Sequence, residues 1–250
     1  MEGSFGLGKS RNYTYHYDLN MYTALWTAYP LTADHISGSA SNSTWTYNPN
    51  PAIAQDHQIN VKSNSYETNY GNGLFSRGHQ LPAADRKCDS DLRAQTYYLT
   101  NQTPQIQEGF NSPMWSNLEQ AIRDLTSGTD TVYVVTGAAF QQGTTTESIT
   151  YLNATQTSIK PSRIPVPNYY WKVLLKVKWS SGDNKTVVQA SAIGIWMKHQ
   201  TYTNNNAWQT AVCSVSQIES YTGFDFFANL PDDLEQDAEL NTSWSDFQGF

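Results

Sequence analysis

Residues 76–119 concentrate side chains that could hydrolyse a phosphate ester. Arg77 and His79 stand two apart in SRGHQLPAAD, Asn101 lies in LTNQTPQ and Asn111 in FNSPMWSNLE, with Glu119 and Arg123 following. A histidine can take a proton from water near neutral pH. An amide oxygen is a hard, neutral ligand that suits Mg²⁺ or Ca²⁺ better than Zn²⁺. An arginine presents a planar fork of donors to a phosphate that gains charge in the transition state. Base, metal ligand and clamp together describe metal-assisted hydrolysis. Each residue also has a plainer reading. Asn101 and Asn111 could form turns or cap a helix. Glu119 could pair with Arg123 on a helix surface, and Arg77 could serve a salt bridge. Asp85, Asp89 and Asp91 read as flanking a solvated turn, and His16, His35, His57 and His199 as surface or packed histidines.

Several elements must position these groups. Tyr13 to Tyr17 alternates like a strand, and YTALWTAY at 22–29 reads as a more buried one. Residues 36–73, rich in Ser, Asn, Pro and Gly, form a long irregular excursion. Leu92 to Tyr98 is a short element leading to the Asn101 loop. Ser112-Pro113 predicts a helix start, a capping residue followed by proline at the first helical position. That helix runs to about Leu125 with Trp115, Leu118, Ile122 and Leu125 as its apolar stripe, and Gly128 ends it. TVYVVTG at 131–137, YWKVLLKVKW at 170–179 and VVQASAIGIWM at 187–197 predict long strands, with Lys172, Lys176 and Lys178 half exposed. SVSQIESY at 214–221 predicts a serine-capped helix stopped by Gly223, and Pro231 opens a final acidic helix before an undetermined tail, WSDFQGF. With no repeats and no clean linker, the chain reads as one α+β domain.

The bulk properties agree with a folded catalyst. A chain of 250 residues with 13% aromatics and only 15% charged residues is not disordered in composition, and no apolar run reaches the length of a membrane span. The formal charge of −7 is unevenly placed. Residues 1–198 hold 15 Lys+Arg against 14 Asp+Glu, whereas residues 199–250 hold eight acids and no Lys or Arg. A near-neutral catalytic half suits an enzyme that must release its substrate and argues against a tight nucleic-acid-binding module. Cys88 and Cys213 could be two buried free thiols or one bridge, worth ~4 kcal/mol in the chain-entropy model. Together with low Lys content and several Asn-x-Ser/Thr sequons, they point to the bridge and to a secreted or periplasmic protein whose leader has been removed.

The stretch also resembles the signature of the DNA/RNA non-specific endonucleases of the endonuclease G type. The likeness rests on Ser76-Arg77-Gly78-His79, on Asn101 with Pro104-Gln105, and on Asn111 through Trp115 to Leu118-Glu119. It extends into TVYVVTGAAF, IPVPNYYWKVLL and FANLPDDL. It implies one domain over residues 1–250, with a central antiparallel sheet flanked by helices. A ββα-metal, or His-Me finger, motif would occupy about residues 70–126. It implies a sequence-nonspecific, metal-dependent endonuclease acting on DNA and RNA and leaving 5′-phosphate ends. His79 would be general base, and Asn111 would hold Mg²⁺, with Mn²⁺ or Ca²⁺ as substitutes. Arg77 and Arg123 would steady developing charge, Glu119 would fix metal-bound waters, and Asn101 would order the site. The chain departs from the signature at Ser76, where many members have Asp, and at Ser43, where an Arg precedes an N-W-x-x-D-P-like segment. A catalytically impaired nucleic-acid binder on the same fold, or a secreted glycan-binding protein, are the competing readings. The sequence leaves monomer and homodimer open.

Overall fold

The structure is a computed structural model and describes residues 2–5, 8–61, 69–70, 73–126, 131–154 and 161–250. The chain opens with a hairpin of β1 (Glu2–Phe5) and β2 (Gly8–Arg11), followed by β3 (Thr14–Asp18), β4 (Thr23–Leu31) and the short α1 (Ala33–Ile36). After the long irregular stretch come β5 (Asn69–Tyr70), β6 (Gly73–His79), α2 (Ser90–Gln95), β7 (Gln102–Ile106) and α3 (Met114–Asp124). The second half adds β8 (Val132–Ala139), β9 (Thr150–Asn153), β10 (Arg163–Val166), β11 (Tyr169–Trp179), β12 (Val187–Lys198) and β13 (Val212–Cys213). Three helices close the chain: α4 (Val215–Thr222), α5 (Asp232–Glu239) and α6 (Trp244–Gly249).

Six strands form the central sheet in the order β13-β12-β11-β8-β4-β3, antiparallel throughout. The β-branched and aromatic runs read from the sequence supply its middle. Alternation along β8 and β11 separates two buried faces. Val132, Val134, Tyr170 and Leu174 pack with Trp115, Leu118 and Ile122 of α3. Val135, Trp171, Val173 and Leu175 pack with Val215 and Ile218 of α4 and Ala238 of α5. At Gly137 any Cβ would run into the Trp171 indole across the strand pair, so this position has to be glycine.

Beside this sheet, β6 pairs antiparallel with β7, and β5 pairs with β6. The hairpin leads through a tight loop into α3, giving a strand–strand–helix unit. Its outer side is covered by Ile59, Val61, Leu152, Ile164 and Val166 packed with Phe75. His199, at the end of β12, ties the hairpin to the sheet: Ile106 N donates to His199 Nε2 at 2.9 Å. His199 Nδ1 lies 2.8 Å from Pro167 O. A carbonyl only accepts, so the proton sits on Nδ1 and Nε2 is the acceptor.

Four expectations need correcting. Ser112 does not cap α3; Pro113 takes the N-cap position with no side-chain bond, because Ser112 closes the preceding loop through its backbone to Gln107 and Gly109. Lys172 and Lys176 are buried, at 0% and 5% exposure, because their face of β11 is the one that α3 and α6 cover. Asp85 is 2% exposed and lies inside the molecule, not on a solvated turn. The WSDFQGF tail contains α6, capped by Ser243, with Phe247 in the core. Gly128 lies outside the described residues, and α3 ends at Asp124 with Leu125 as its C-cap.

The cysteines are also unbridged. Both are free, Cys88 between the Ala83–Arg86 turn and α2, and Cys213 on the far edge of the central sheet, packed near Val215 and Ile218. Sequence separation permitted a bridge; the fold sends the two thiols to different elements.

Candidate active site

His79 is the last residue of β6 and pairs with Gln102 of β7. The chain immediately after it is held on two sides. Asn101, fully buried, accepts from Leu81 N and donates Nδ2 to Leu81 O and Thr96 O. Gln80 donates its side-chain amide to Ala24 O of β4. Asn101 therefore spends its side chain on backbone and orders the strand end from behind. Gly78 has a steric reason to be glycine: a Cβ there would overlap the Gln105 side chain lying across the hairpin.

The His79 ring sits among aromatics. Its centroid is 4.6 Å from that of Trp45 and 5.2 Å from that of Tyr97, the latter edge-on. Its Nε2 is buried and has no hydrogen-bond partner among the described residues. Burial, and then the positive charges of Arg77 and Arg93, hold its pKa down at about 4. The imidazole is thus neutral at physiological pH and has a lone pair to offer. Arg77, two residues earlier on the same side of β6, places its guanidinium 5.1 Å from the centre of the Trp45 ring.

Asn111 lies in the loop between β7 and α3. Its N–H bonds Ile106 O at 2.9 Å, and its Nδ2 donates to Gln107 Oε1 at 3.1 Å. The amide is thereby oriented, and its Oδ1 has no partner among the described residues. The helix-cap reading of Asn111 is not realised, since its side chain bonds Gln107 instead of the helix amides.

Glu119, halfway along α3, is drawn into a set of charges. Arg123 Nη1 meets Asp85 Oδ1 at 2.9 Å, and the Tyr29 hydroxyl donates to Asp85 Oδ2 at 3.1 Å. Lys172 projects from β11 beneath α3, its Nζ 2.6 Å from Thr136 Oγ1 and 5.1 Å from the Trp115 ring centre. Burial raises the Glu119 pKa, with Lys172 and Arg123 pulling it down and Asp85 pushing it up. Burial lowers that of Lys172 against the pull of Glu119 and Asp85. Glu119 keeps some solvent access and makes no side-chain hydrogen bond to the described residues, so its oxygens remain free for water.

The structure thus brings Arg77 and His79 together around Trp45, gathers Glu119 and Arg123 around Asp85 and Lys172, and sets Asn111 in the loop leading into α3. Sequence reasoning missed Trp45, Tyr97, Arg93, Asp85 and Lys172. Only Trp45 carried a signal, its place in the N-W-x-x-D-P-like stretch. Ser76 spends its hydroxyl on Gln105 O across the hairpin, and Ser43 is exposed. Next to Ser43, Asn42 accepts from Arg93, so a guanidinium from α2 reaches this neighbourhood.

A strand–strand–helix unit bearing a strand-end histidine and a loop asparagine, set beside a large antiparallel sheet, defines the ββα-metal nuclease fold. One chain of the EndoG/EndoGI complex shares it, with a TM-score of 0.67 and 22% identity over 89% of this chain and 85% of that one. The sequence profile of the DNA/RNA non-specific endonucleases matches residues 5–233, and the chain belongs to that family. It is 30% identical to the mitochondrial nuclease EXOG of Danio rerio over 91% of this chain, and spans 64% of that protein. Against Nuclease C1 of Cunninghamella echinulata var. echinulata the identity is 27%, covering 88% of this chain and 81% of the relative. Against mitochondrial endonuclease G of Bos taurus it is 29%, covering 67% and 53%.

These relatives overturn the expectation of export, since EXOG and endonuclease G are mitochondrial proteins. The compositional argument failed for a physical reason: abundant Asn, Ser and Thr describe a solvated surface in any compartment, and the supposed bridge is absent. Among the described residues, no helix is long and apolar enough to cross a membrane.

Proposed function

We propose that this chain is a metal-dependent endonuclease that hydrolyses phosphodiester bonds of DNA and RNA without sequence preference, leaving 5′-phosphate and 3′-hydroxyl ends. The observation that carries the reading is His79, a neutral imidazole at the strand end with Arg77 beside it. A neutral imidazole can accept the proton of an attacking water, and the Arg77 guanidinium can bind the phosphate whose charge grows as that water adds.

The residues fit a hard divalent cation. Asn111 has an amide oxygen already oriented by its bond to Gln107 and otherwise unspent. Among the described residues no three His, Cys, Asp or Glu converge to cage a metal. That arrangement suits Mg²⁺, which keeps most of its waters and takes few protein ligands, with Mn²⁺ or Ca²⁺ as substitutes. When bound, the ion would supply charge stabilisation to the phosphate and its departing oxygen. Asn111 would hold it and Glu119 would accept hydrogen bonds from its waters, while Arg123, paired with Asp85, adds positive charge beside Glu119. Asn101 keeps the backbone after His79 in place. Contacts to phosphate and sugar carry no base information, which accounts for nonspecific cutting of both nucleic acids.

Digestion of plasmid DNA and of RNA with Mg²⁺, with EDTA, and with His79→Ala tests this. Both substrates should be degraded by the wild type, chelator should stop the reaction, and His79→Ala should lose about 10²–10⁴-fold in rate while staying folded. Cleavage that survives both would sink the mechanism. A gel shift without cleavage by folded wild type would identify a nucleic-acid binder on a nuclease fold.

A further inference from the structure

Trp45 has no part in the chemistry above, yet the long excursion is fastened where it delivers this residue. Thr46 N bonds Tyr97 O at 3.1 Å and Leu99 N bonds Thr46 O at 2.9 Å, a parallel bridge to the segment just before Asn101. Apart from Trp45, residues 42–47 are exposed, so the fastening buries little else here. Ordering a loop costs conformational entropy; here it fixes the Trp45 indole, with the buried Asn48 bonded to Thr100 and Asn42 to Arg93 on either side.

That indole lies against both candidate reacting groups. It is 4.6 Å from the His79 ring and 5.1 Å from the Arg77 guanidinium, and Tyr97 closes the far side at 5.3 Å from Trp45 and 5.2 Å from His79. A histidine that works as a base normally has its second nitrogen oriented by a carboxylate or carbonyl. The buried Nε2 of His79 has no such partner among the described residues. Among the described residues the ring is held by its face and edge contacts to Trp45 and Tyr97.

We infer that Trp45 is a positioning residue, whose indole fixes the His79 imidazole and the Arg77 guanidinium relative to each other in place of a hydrogen-bonded partner. The inference rests on the proposed nuclease reading for its consequence in catalysis, but the packing it describes can be measured without turnover. Taking away the aromatic wall admits water to His79 and relieves the burial that suppresses its protonation.

The test compares wild type with Trp45→Leu, Trp45→Phe and Trp45→Met. kcat and KM are measured on DNA from pH 5 to 8, and the His79 ring is titrated by NMR in ¹⁵N-labelled protein, assigned with His79→Ala. Trp45→Leu should lower kcat about 10–100-fold with KM nearly unchanged, as expected for a misplaced base. Its His79 titration should rise from about 4 towards the ordinary histidine value. Trp45→Phe, which keeps an aromatic face, should restore most of both. Should Trp45→Leu fail to fold, Trp45→Met is read in the same way. A Leu or Met variant with wild-type kcat, a loss confined to KM, or equal losses in Phe and Leu with an unmoved titration would overturn the inference. Wild type that cuts nothing, with a titration that still moves, would remove the nuclease reading and leave the positioning role standing.

Discussion

Carboxylates cluster on both faces of the central sheet, and the two clusters differ in the charges that surround them. On the α3 face, Asp85 and Glu119 have Arg123 and Lys172 as counter-charges, and each Asp85 oxygen accepts a hydrogen bond. On the other face, Glu239 is 8% exposed and its nearest charges are Glu219, Glu235 and Asp225, all of its own sign. No Lys or Arg occurs anywhere in residues 199–250. Buried oxygens of Glu235 and Glu239 make no hydrogen bond among the described residues. Burial and these neighbours raise the Glu239 pKa to about 8, so it is largely protonated at neutral pH. On the α3 face Lys172 and Arg123 pull the Glu119 pKa back to about 7 against burial, whereas Glu239, with no counter-charge, is held higher.

The largest break in this contrast should come from Lys172→Met. Removing this fully buried lysine leaves Glu119 and Asp85 with Arg123 alone, and loss of one partner from a buried charge set costs about 3–5 kcal/mol. Urea unfolding at pH 7 should show that loss, and it should shrink at pH 5, where Glu119 can take up a proton. A variant as stable as wild type at pH 7 would mean that Glu119 is not ionised there.

Glu239→Gln should do the reverse. A carboxyl whose folded pKa is raised contributes stability below its unfolded pKa of about 4.3 and loses it as pH climbs through about 8. The glutamine variant cannot lose that contribution. Its advantage should be nil near pH 4 and reach on the order of 1 kcal/mol above pH 8, a rise of about 2–4 °C in Tm. Equal melting curves at pH 9 would show that Glu239 finds water or a partner instead. The smallest effect is expected from reductant. Since no bridge joins Cys88 to Cys213, dithiothreitol should leave Tm unchanged, and a large drop would contradict the separation of the two thiols.

The sequence revealed what depends on local spacing. Arg77, His79, Asn101, Asn111 and Glu119 fall within one stretch, and the α3 stripe of Trp115, Leu118 and Ile122 follows helical period. The long strands were legible from β-branched runs. What escaped depends on which distant element covers a face. In KVLLKVK, Lys172 and Lys176 alternate as half-exposed residues would, and only α3 and α6 packing above them makes those positions interior. Asp85 stands among turn residues that normally meet water, and its partners come from β4 and α3. Trp45 lies in a segment without periodicity, and its meaning comes from Thr46 pairing beyond α2.

His199 remains. It accepts the amide of Ile106 at the far end of the hairpin strand that pairs with His79's own, and its proton is committed to Pro167 O. Burial keeps its pKa at about 4. Protonation would turn that acceptor into a second donor facing the Ile106 N–H, and the bond would give way to repulsion. The joint between the β6–β7 unit and the rest of the molecule is therefore a latch with an acid release, and the geometry around His79 can be only as durable as the neutrality of the His199 ring.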